Sequence, residues 1–173
     1  SLRMRFVTTS DGEPVVEVDP PGPVRWRVLD VTGAADPVVA AQEALRPVAA
    51  EPFDLAVGPL LRPLLVRLGP DDHVVCLVVH HIVCDGWSAE LMRDELLAGY
   101  EAARAGRPLD RPPLPVDYGD YARWQREQVD RGRFAAGLEY WRRKLTGVPA
   151  LHLPTDHPYP AAQTVNGATH SFR

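Results

Sequence analysis

The sequence predicts an α/β or α+β fold, in which helices cover a sheet of strands. Residues 74–79 form an apolar run rich in β-branched side chains, which is typical of a buried strand, whereas residues 134–145 carry apolar side chains at helical spacing. The chain has 173 residues, of which 45% are hydrophobic and 24% charged. This length and composition are sufficient for a domain with a hydrophobic core.

The first part of the chain is expected to contain three strands. Apolar side chains alternate with arginines over residues 2–6, which predicts a strand with one buried face. A turn at residues 10–12 and a β-branched segment at residues 15–18 predict the second strand of a hairpin. Beyond a proline-rich break, the alternation over residues 24–28 predicts a third strand.

A helix is expected next, with Asp36 as its N-cap and Pro37 at its first position. The helix extends toward Ala50. Pro47 should kink it or end it early, because proline lacks the N–H that an inner helical turn requires.

Two more strands are expected before the chain reaches a pair of adjacent histidines. Residues 60–68 predict a strand, and Pro63 inside it indicates an edge or bulged strand. A tight turn at residues 69–72 leads to a strand at residues 73–80. Its nearly all-apolar side chains predict burial on both faces.

Three helices are predicted in the remainder of the chain. The first is capped by Ser88 and runs to about Arg104, and the second is capped by Asp117. The third has an amphipathic stripe over residues 134–145 and ends at Gly147. Helical spacing predicts a core position for four aromatic residues: Tyr118, Tyr121, Trp124 and Trp141.

Composition excludes several classes of function. The net charge of −4 argues against nucleic acid as a partner, because nucleic-acid binding requires a strongly basic face. Neither a membrane-spanning run nor an export signal is found in the sequence. Cys76 and Cys84 lie outside any C-x-x-C pair or disulfide framework, which predicts free thiols in a reducing compartment and a cytoplasmic location.

The segment that suggests chemistry is residues 78–88, where two histidines stand at the end of an apolar strand and just before a helix. Successive side chains of a strand point to opposite faces, so only one of His80 and His81 can face a given cavity. Asp85 and Gly86 follow in a short loop. Polar groups cost free energy in an apolar setting unless they are paired, so their concentration here favours a site.

Three other interpretations of the segment are less favoured. Adjacent strand histidines cannot easily bind one metal ion, and no Cys, His and Asp set at zinc spacing completes a site. Histidines on an apolar strand are commonly core residues that hydrogen bond to the backbone. A Ser-His-Asp hydrolase is disfavoured because there is no G-x-S-x-G elbow. The chemistry that the segment favours is proton transfer, since an imidazole titrates near neutrality.

Residues 80–86, HHIVCDG, match an H-H-x-x-x-D-G signature, and through it the chain resembles the condensation domains of nonribosomal peptide synthetases. Residues 51–62 resemble the P-F-D-L and G-P-L-L-R segment of that family. Residues 118–125 resemble its Y-x-D-Y-A-x-W-Q motif, and residues 1–6 resemble the end of R-H-E-x-L-R-T-x-F with its opening absent. The resemblance covers essentially the whole chain. It implies a chloramphenicol-acetyltransferase-like lobe, which is an α/β fold of the α+β sandwich type with a mixed sheet covered by helices.

The resemblance implies roles for four residues of the signature. The second histidine, His81, would be the catalytic residue, acting either as a general base or by orienting the amine and stabilising the tetrahedral intermediate. His80 and Asp85 would be structural, and Gly86 would shape a tunnel beside His81. Asp85 would pair with an arginine. If that partner is the first arginine of the R-H-E opening, it is missing here, and Arg62 and Arg3 are the weaker candidates in this sequence.

The resemblance also implies substrates and partners. The reaction would be an acyltransferase-type condensation in secondary metabolism, such as antibiotic biosynthesis. A donor acyl or peptidyl thioester and an acceptor aminoacyl thioester would arrive on the phosphopantetheine arms of two peptidyl carrier proteins. The domain itself is expected to bind no cofactor and no metal, and an adjacent adenylation domain is expected.

Residues 1–173 are expected to form a partial N-terminal lobe, with the start of the lobe and the whole C-terminal lobe missing. The first residues indicate a strand already under way, and another strand is expected from residue 168. The tunnel of the family lies between two lobes. The isolated chain is therefore expected to be inactive.

Two alternative functions remain within the resemblance. Epimerization domains, which are isomerases, share the signature but typically continue D-G-V-S-W, whereas residues 85–89 are DGWSA. A non-catalytic lobe that only binds carrier proteins is the other possibility for this chain. Heterocyclization domains are disfavoured, because they lose the histidine pair, which is retained here.

Overall fold

Within residues 1–159, 161–162 and 167–172, which the computed structural model describes, the strands all precede residue 80. The chain divides into two units, Ser1–Tyr121 and Ala122–Arg173. The strands are β1 (Met4–Thr8), β2 (Pro14–Val18), β3 (Arg27–Asp30), β4 (Leu61–Arg67) and β5 (His73–Val79). The helices are α1 (Pro37–Ala50), α2 (Gly86–Arg104), α3 (Tyr118–Asp130) and α4 (Ala135–Leu145). The predicted α/β class is confirmed.

β1 and β2 form the predicted antiparallel hairpin. Their register pairs Met4 with Val18 and Thr8 with Pro14. The connecting turn contains Gly12 at a φ of 84°, a left-handed conformation that glycine adopts without steric cost. The buried side chain of Met4 joins Leu60 in a small core cluster, which fixes the hairpin on the rest of the unit.

β4 is the central strand of a three-stranded mixed sheet, parallel to β3 and antiparallel to β5. The prediction of an edge or bulged strand is therefore wrong. Pairing with β3 begins only at Leu64, so Pro63 lies just before the doubly paired part of the strand. The His80 N–H donates to the Leu60 carbonyl, and hydrogen-bonded pairs alternate with non-bonded pairs along the antiparallel ladder of β4 and β5. By this alternation Pro63 is in a non-bonded pair, where a backbone N–H would point away from β5. The missing N–H costs no sheet bond.

The two faces of this sheet differ in burial. Leu64 and Val66 have no exposed area, while Val75 on β5 is 46% exposed. One face opens onto an apolar cleft of about 1300 Å³, bounded on its other side by α2. The expectation that the fifth strand is buried on both faces is wrong for this structure. The apolar side chains of β5 would allow both of its faces to be buried, but they do not indicate whether another element covers each face.

α1 begins as predicted, because the Asp36 carboxylate accepts the N–H groups of Val38 and Val39 at 3.1 Å. The helix continues through Pro47 to Ala50 and does not end early. Pro47 lies in the last turn, where its ring interrupts only one intrahelical bond.

The later helices also begin near their predicted positions. α3 is capped by Asp117, whose carboxylate accepts the Asp120 N–H at 2.9 Å. α4 is followed by Gly147 at a φ of 77°, as expected for a helix that ends there. The strand expected from residue 168 is absent over residues 167–172, and Arg173 lies outside the described residues.

The aromatic residues that were predicted to be core residues are substantially exposed. Their exposed fractions are 58% for Tyr118, 45% for Tyr121, 48% for Trp124 and 57% for Trp141. The amphipathic stripe of α4 is likewise open, since Phe134 is 51% exposed and Leu138 53%. Helical spacing identifies which face of a helix is apolar, but burial also requires another element on that face.

Candidate functional site

The histidine pair lies at the point where β5 ends. β5 extends to Val79, and the His80 N–H continues the sheet by donating to the Leu60 carbonyl at 3.1 Å. The chain then turns over residues 81–83, with the Val83 N–H donating to the His80 carbonyl at 3.1 Å. Val83 is 5% exposed and belongs to the core cluster, so the turn is fixed on both sides of His81.

His80 is half-buried and faces the protein. Its Nδ1 accepts the backbone N–H of Ile82 at 3.1 Å, and its ring meets the Phe53 ring edge to face at 5.9 Å and 88°. An imidazole nitrogen that accepts a hydrogen bond carries no proton, which places the proton of a neutral His80 on Nε2. These contacts are those of a side chain that holds a turn together.

His81 is exposed, in contrast to its neighbour. Its ring is therefore not sealed in the hydrophobic interior, and a reactant can reach it. The predicted separation of the two imidazoles is present in the structure, because His80 packs against Phe53 while His81 is accessible from outside. An accessible imidazole on a fixed turn can exchange a proton with a bound reactant.

Asp85 forms the N-cap of α2. Its Oδ1 accepts the Ser88 N–H at 2.8 Å and the Ser88 hydroxyl at 2.6 Å. The hydroxyl and then the N–H of Ser88 lower the pKa of the Asp85 carboxyl below its ordinary value of 3.8, and a charged His81 acts in the same direction. Asp85 thus stays ionised and lies near His81.

The prediction that Ser88 caps this helix is wrong. The cap lies three residues earlier, at Asp85, and the helix begins at Gly86. Ser88 is inside its first turn as a donor to Asp85. Aspartate and serine are both favoured caps, so residue preference alone does not choose between them. The backbone decides, since Asp85 has the extended conformation of an N-cap at φ −128° and ψ −174°.

Neither arginine that was expected to pair with Asp85 contacts it in the structure. Arg62 donates to the carbonyls of Glu51 and Pro52 at 2.6 and 2.5 Å. Arg3 donates to the Asp19 carbonyl, across the hairpin. Both side chains donate to backbone carbonyls and not to the Asp85 carboxylate.

Gly86 occupies the first position of α2 and does not have a positive φ. Its backbone is therefore not in the left-handed conformation that favours glycine. A Cβ added at Gly86 would meet no atom within 4 Å among the described residues. The space beside the helix start is open, and the backbone alone does not require glycine there.

Phe53 and Arg62 form a unit with His80 that was not predicted from the sequence. The guanidinium carbon of Arg62 lies 3.8 Å from the centre of the Phe53 ring, and the same ring contacts His80. Both residues belong to the P-F-D-L and G-P-L-L-R segment, and this shared motif is the sequence feature from which their contact could have been predicted.

The described part of the chain contains no cluster of three metal-binding side chains and no helix that could span a membrane. Within it, no three His, Cys, Asp or Glu side chains lie close enough together to hold a metal ion. None of its helices combines the length and the apolarity that crossing a bilayer requires.

Comparison with known sequences places the whole chain in one family. The condensation domain family matches residues 1–173. Chondramide synthase of Chondromyces crocatus is 40% identical over 175 residues, a match that covers 100% of this chain and 4% of that protein. Malpinin synthetase of Mortierella alpina is 40% identical over 168 residues, covering 96% of this chain and 2% of the relative. The chain thus spans only a small part of the length of these relatives.

Solved structures support the same assignment. The first condensation domain of the calcium-dependent antibiotic synthetase, bound to a substrate analogue, superimposes with a TM-score of 0.74 at 30% identity, covering 86% of this chain and 37% of that one. The protein SgcC5 of Streptomyces globisporus gives a TM-score of 0.72 at 33% identity, over 90% of this chain and 35% of its own. The fold is therefore the chloramphenicol-acetyltransferase-like fold of these neighbours. Sequence and structure together show that this chain belongs to the condensation domain family of nonribosomal peptide synthetases.

Proposed function

We propose that this chain is the histidine-bearing part of a domain that forms an amide bond between two carrier-bound units in nonribosomal peptide synthesis. The observation that carries the proposal is the position of His81. It is the exposed member of the histidine pair and lies on a short turn. His80 stabilises this turn on the strand side, and Asp85 caps the helix that follows it.

The proposed reaction joins the amine of an acceptor aminoacyl thioester to the carbonyl carbon of a donor thioester. A C–N bond forms, the donor C–S bond breaks, and the donor arm leaves as a thiol after it gains the proton that the amine loses. His81 either takes that proton as a general base or orients the amine and stabilises the tetrahedral intermediate. Both roles require an imidazole that the reactants can reach.

The proposed partners are two peptidyl carrier proteins that present the substrates on phosphopantetheine arms, together with an adjacent adenylation domain. The chain covers 35–37% of the solved structures described above. We infer that residues 1–173 are a partial first lobe and that a second lobe completes the tunnel. On this basis the chain alone does not catalyse condensation.

The test is a condensation assay on the complete polypeptide that the reading frame encodes, with an aminoacyl donor carrier and an aminoacyl acceptor carrier. Mass spectrometry of the acceptor carrier detects the dipeptidyl product. We expect His81→Ala to lower the rate by about 100-fold or more, the usual range for loss of a general acid–base group. His73→Ala is the matched control, since His73 is an exposed histidine at the other end of β5.

Equal rates for the two variants would remove His81 from the mechanism. Inversion of the donor stereocentre without amide formation would assign the domain to epimerization. Binding of carrier proteins with no chemistry in the wild-type polypeptide would assign it a non-catalytic role. Condensation by residues 1–173 alone would show that the chain is not a partial lobe.

A further inference from the structure

The turn that carries His81 is supported by a stack of three side chains that no step of the proposed reaction uses. Arg62 lies on one side of the Phe53 ring, with its guanidinium carbon 3.8 Å from the ring centre. His80 meets the same ring at 5.9 Å in an edge-to-face arrangement. Edge-to-face contacts between rings and cation–π contacts each favour a defined geometry over a merely apolar contact.

The outer end of the stack is well anchored. The Arg62 side chain is 15% exposed, and its two terminal nitrogens donate to the carbonyls of Glu51 and Pro52. These carbonyls belong to the two residues just before Phe53. Arg62 therefore holds both the Phe53 ring and the backbone that leads into it, which leaves the ring little freedom to move away from His80.

The inner end of the stack controls the turn. The His80 Nδ1 accepts the Ile82 N–H, and this bond spans His81. A rotation of the His80 ring would remove the acceptor from Ile82. The turn would then lose one of the bonds that hold it, while the bond from the Val83 N–H to the His80 carbonyl would remain. The orientation of the catalytic imidazole thus depends on the orientation of its neighbour, which in turn depends on Phe53.

We propose that Phe53, held in place by Arg62, is a positioning residue that orients His81 through the ring of His80. The inference rests on the proposed function for its kinetic consequence, but the contact between Phe53 and His80 does not depend on it. A small displacement of a catalytic group from its productive position lowers turnover and leaves substrate binding largely intact.

The experiment compares Phe53→Leu with Phe6→Leu in the complete polypeptide. Both phenylalanines are half-buried against the same core cluster, but only Phe53 contacts the His80 ring within the described chain. Substitution by leucine removes an aromatic ring and keeps an apolar side chain in each case. Phe53→Tyr keeps the ring and serves as the conservative variant.

Two readouts are measured. For Phe53→Leu we expect kcat to fall about 10-fold with KM within about twofold, while Phe6→Leu and Phe53→Tyr stay within about twofold of wild type in both. The second readout is the rate at which diethyl pyrocarbonate modifies His80, resolved by tandem mass spectrometry. We expect this rate to rise at least about fivefold in Phe53→Leu alone, because the freed Nδ1 becomes a nucleophile.

The outcomes separate the two proposals. If the wild-type polypeptide forms no amide, the proposed function fails, and the modification rate of His80 still tests the stack. If it condenses normally and Phe53→Leu matches Phe6→Leu in both readouts, the positioning role is overturned. Should Phe53→Leu not fold, Arg62→Lys tests the stack from its outer end, since lysine keeps the charge but not the planar contact or both carbonyl bonds. Unchanged kcat and unchanged His80 modification in that variant would also overturn the proposal.

Discussion

The His81 turn is held by two supports of different physical character. On the strand side, His80 is half-buried, continues the sheet through its N–H, and packs on Phe53. On the helix side, Asp85 is exposed and holds the first turn of α2 by accepting two hydrogen bonds from Ser88. The strand-side support depends on packing, and the helix-side support depends on a charge. Mutation and salt should therefore affect the two sides differently.

The strand-side support should give the larger effect when it is removed. His80→Ala loses the ring contact with Phe53 and leaves the Ile82 N–H without its acceptor, and we expect it to lower the free energy of unfolding by about 1–3 kcal/mol. Thermal unfolding followed by circular dichroism measures the change. His73→Ala is the control, because His73 is exposed at the start of β5. A stability equal to that of the control would show that His80 does not support the turn.

Removal of the helix-side support should have a smaller effect. Asp85→Ala leaves the Ser88 N–H and hydroxyl without their acceptor, so we expect a lower Tm than wild type but a higher one than His80→Ala. Asp85→Asn keeps an acceptor oxygen and should lose less than the alanine variant. An asparagine variant as unstable as the alanine variant would mean that the negative charge, and not the cap, is what matters.

The charge on the helix side predicts a dependence of stability on pH. The pKa of Asp85 is lowered by its bonds from Ser88, so the stabilisation is fully present above 3.8, its ordinary value, and is lost as the pH falls through the lower value of the folded protein. The Tm difference between wild type and Asp85→Asn should therefore shrink below about pH 4. A difference that stays constant from pH 6 to the acid limit of folding would contradict this assignment.

The smallest effect on stability is expected at Gly86. A Cβ at this position meets no described atom, and alanine is a better helix former than glycine, so Gly86→Ala should keep or slightly raise the Tm of the chain. If Gly86 shapes a tunnel beside His81, the same substitution should slow condensation by the complete polypeptide. Ser88→Ala, inside the same first turn, controls for a general effect on the helix. An unchanged condensation rate in the Gly86→Ala variant would show that the site does not require glycine at this position.

Local chemistry made much of the fold predictable. The cap of α1 by Asp36, the cap of α3 by Asp117 and the end of α4 at Gly147 depend on residues within a few positions of each other. The hairpin of β1 and β2 was predictable for the same reason. The start of α2 was less certain because Asp85 and Ser88 are both good caps, and only the backbone conformation distinguishes them.

Predictions that depend on long side chains or on neighbouring elements were less successful. Arg62 was a candidate partner of Asp85 because of its charge, but its position on β4 directs it to Glu51 and Pro52. Trp141 has the spacing of a core residue and is exposed, since spacing does not say what covers a helix face. Pro63 was expected to indicate an edge or bulged strand, and it lies in the central strand just before the pairing with β3 begins.

By itself the sequence determined the motif, its place between a strand and a helix, and the rule that two neighbouring histidines face different surroundings. These features follow from local periodicity and residue chemistry, which act over a few residues. Tertiary structure alone decided which histidine packs on Phe53 and which is exposed. It also decided that Arg62 contacts the Phe53 ring and the Glu51 carbonyl, and does not pair with Asp85. The physical reason is that these contacts join segments far apart in the chain, and their geometry is set only when β4 and β5 pair and bring those segments together.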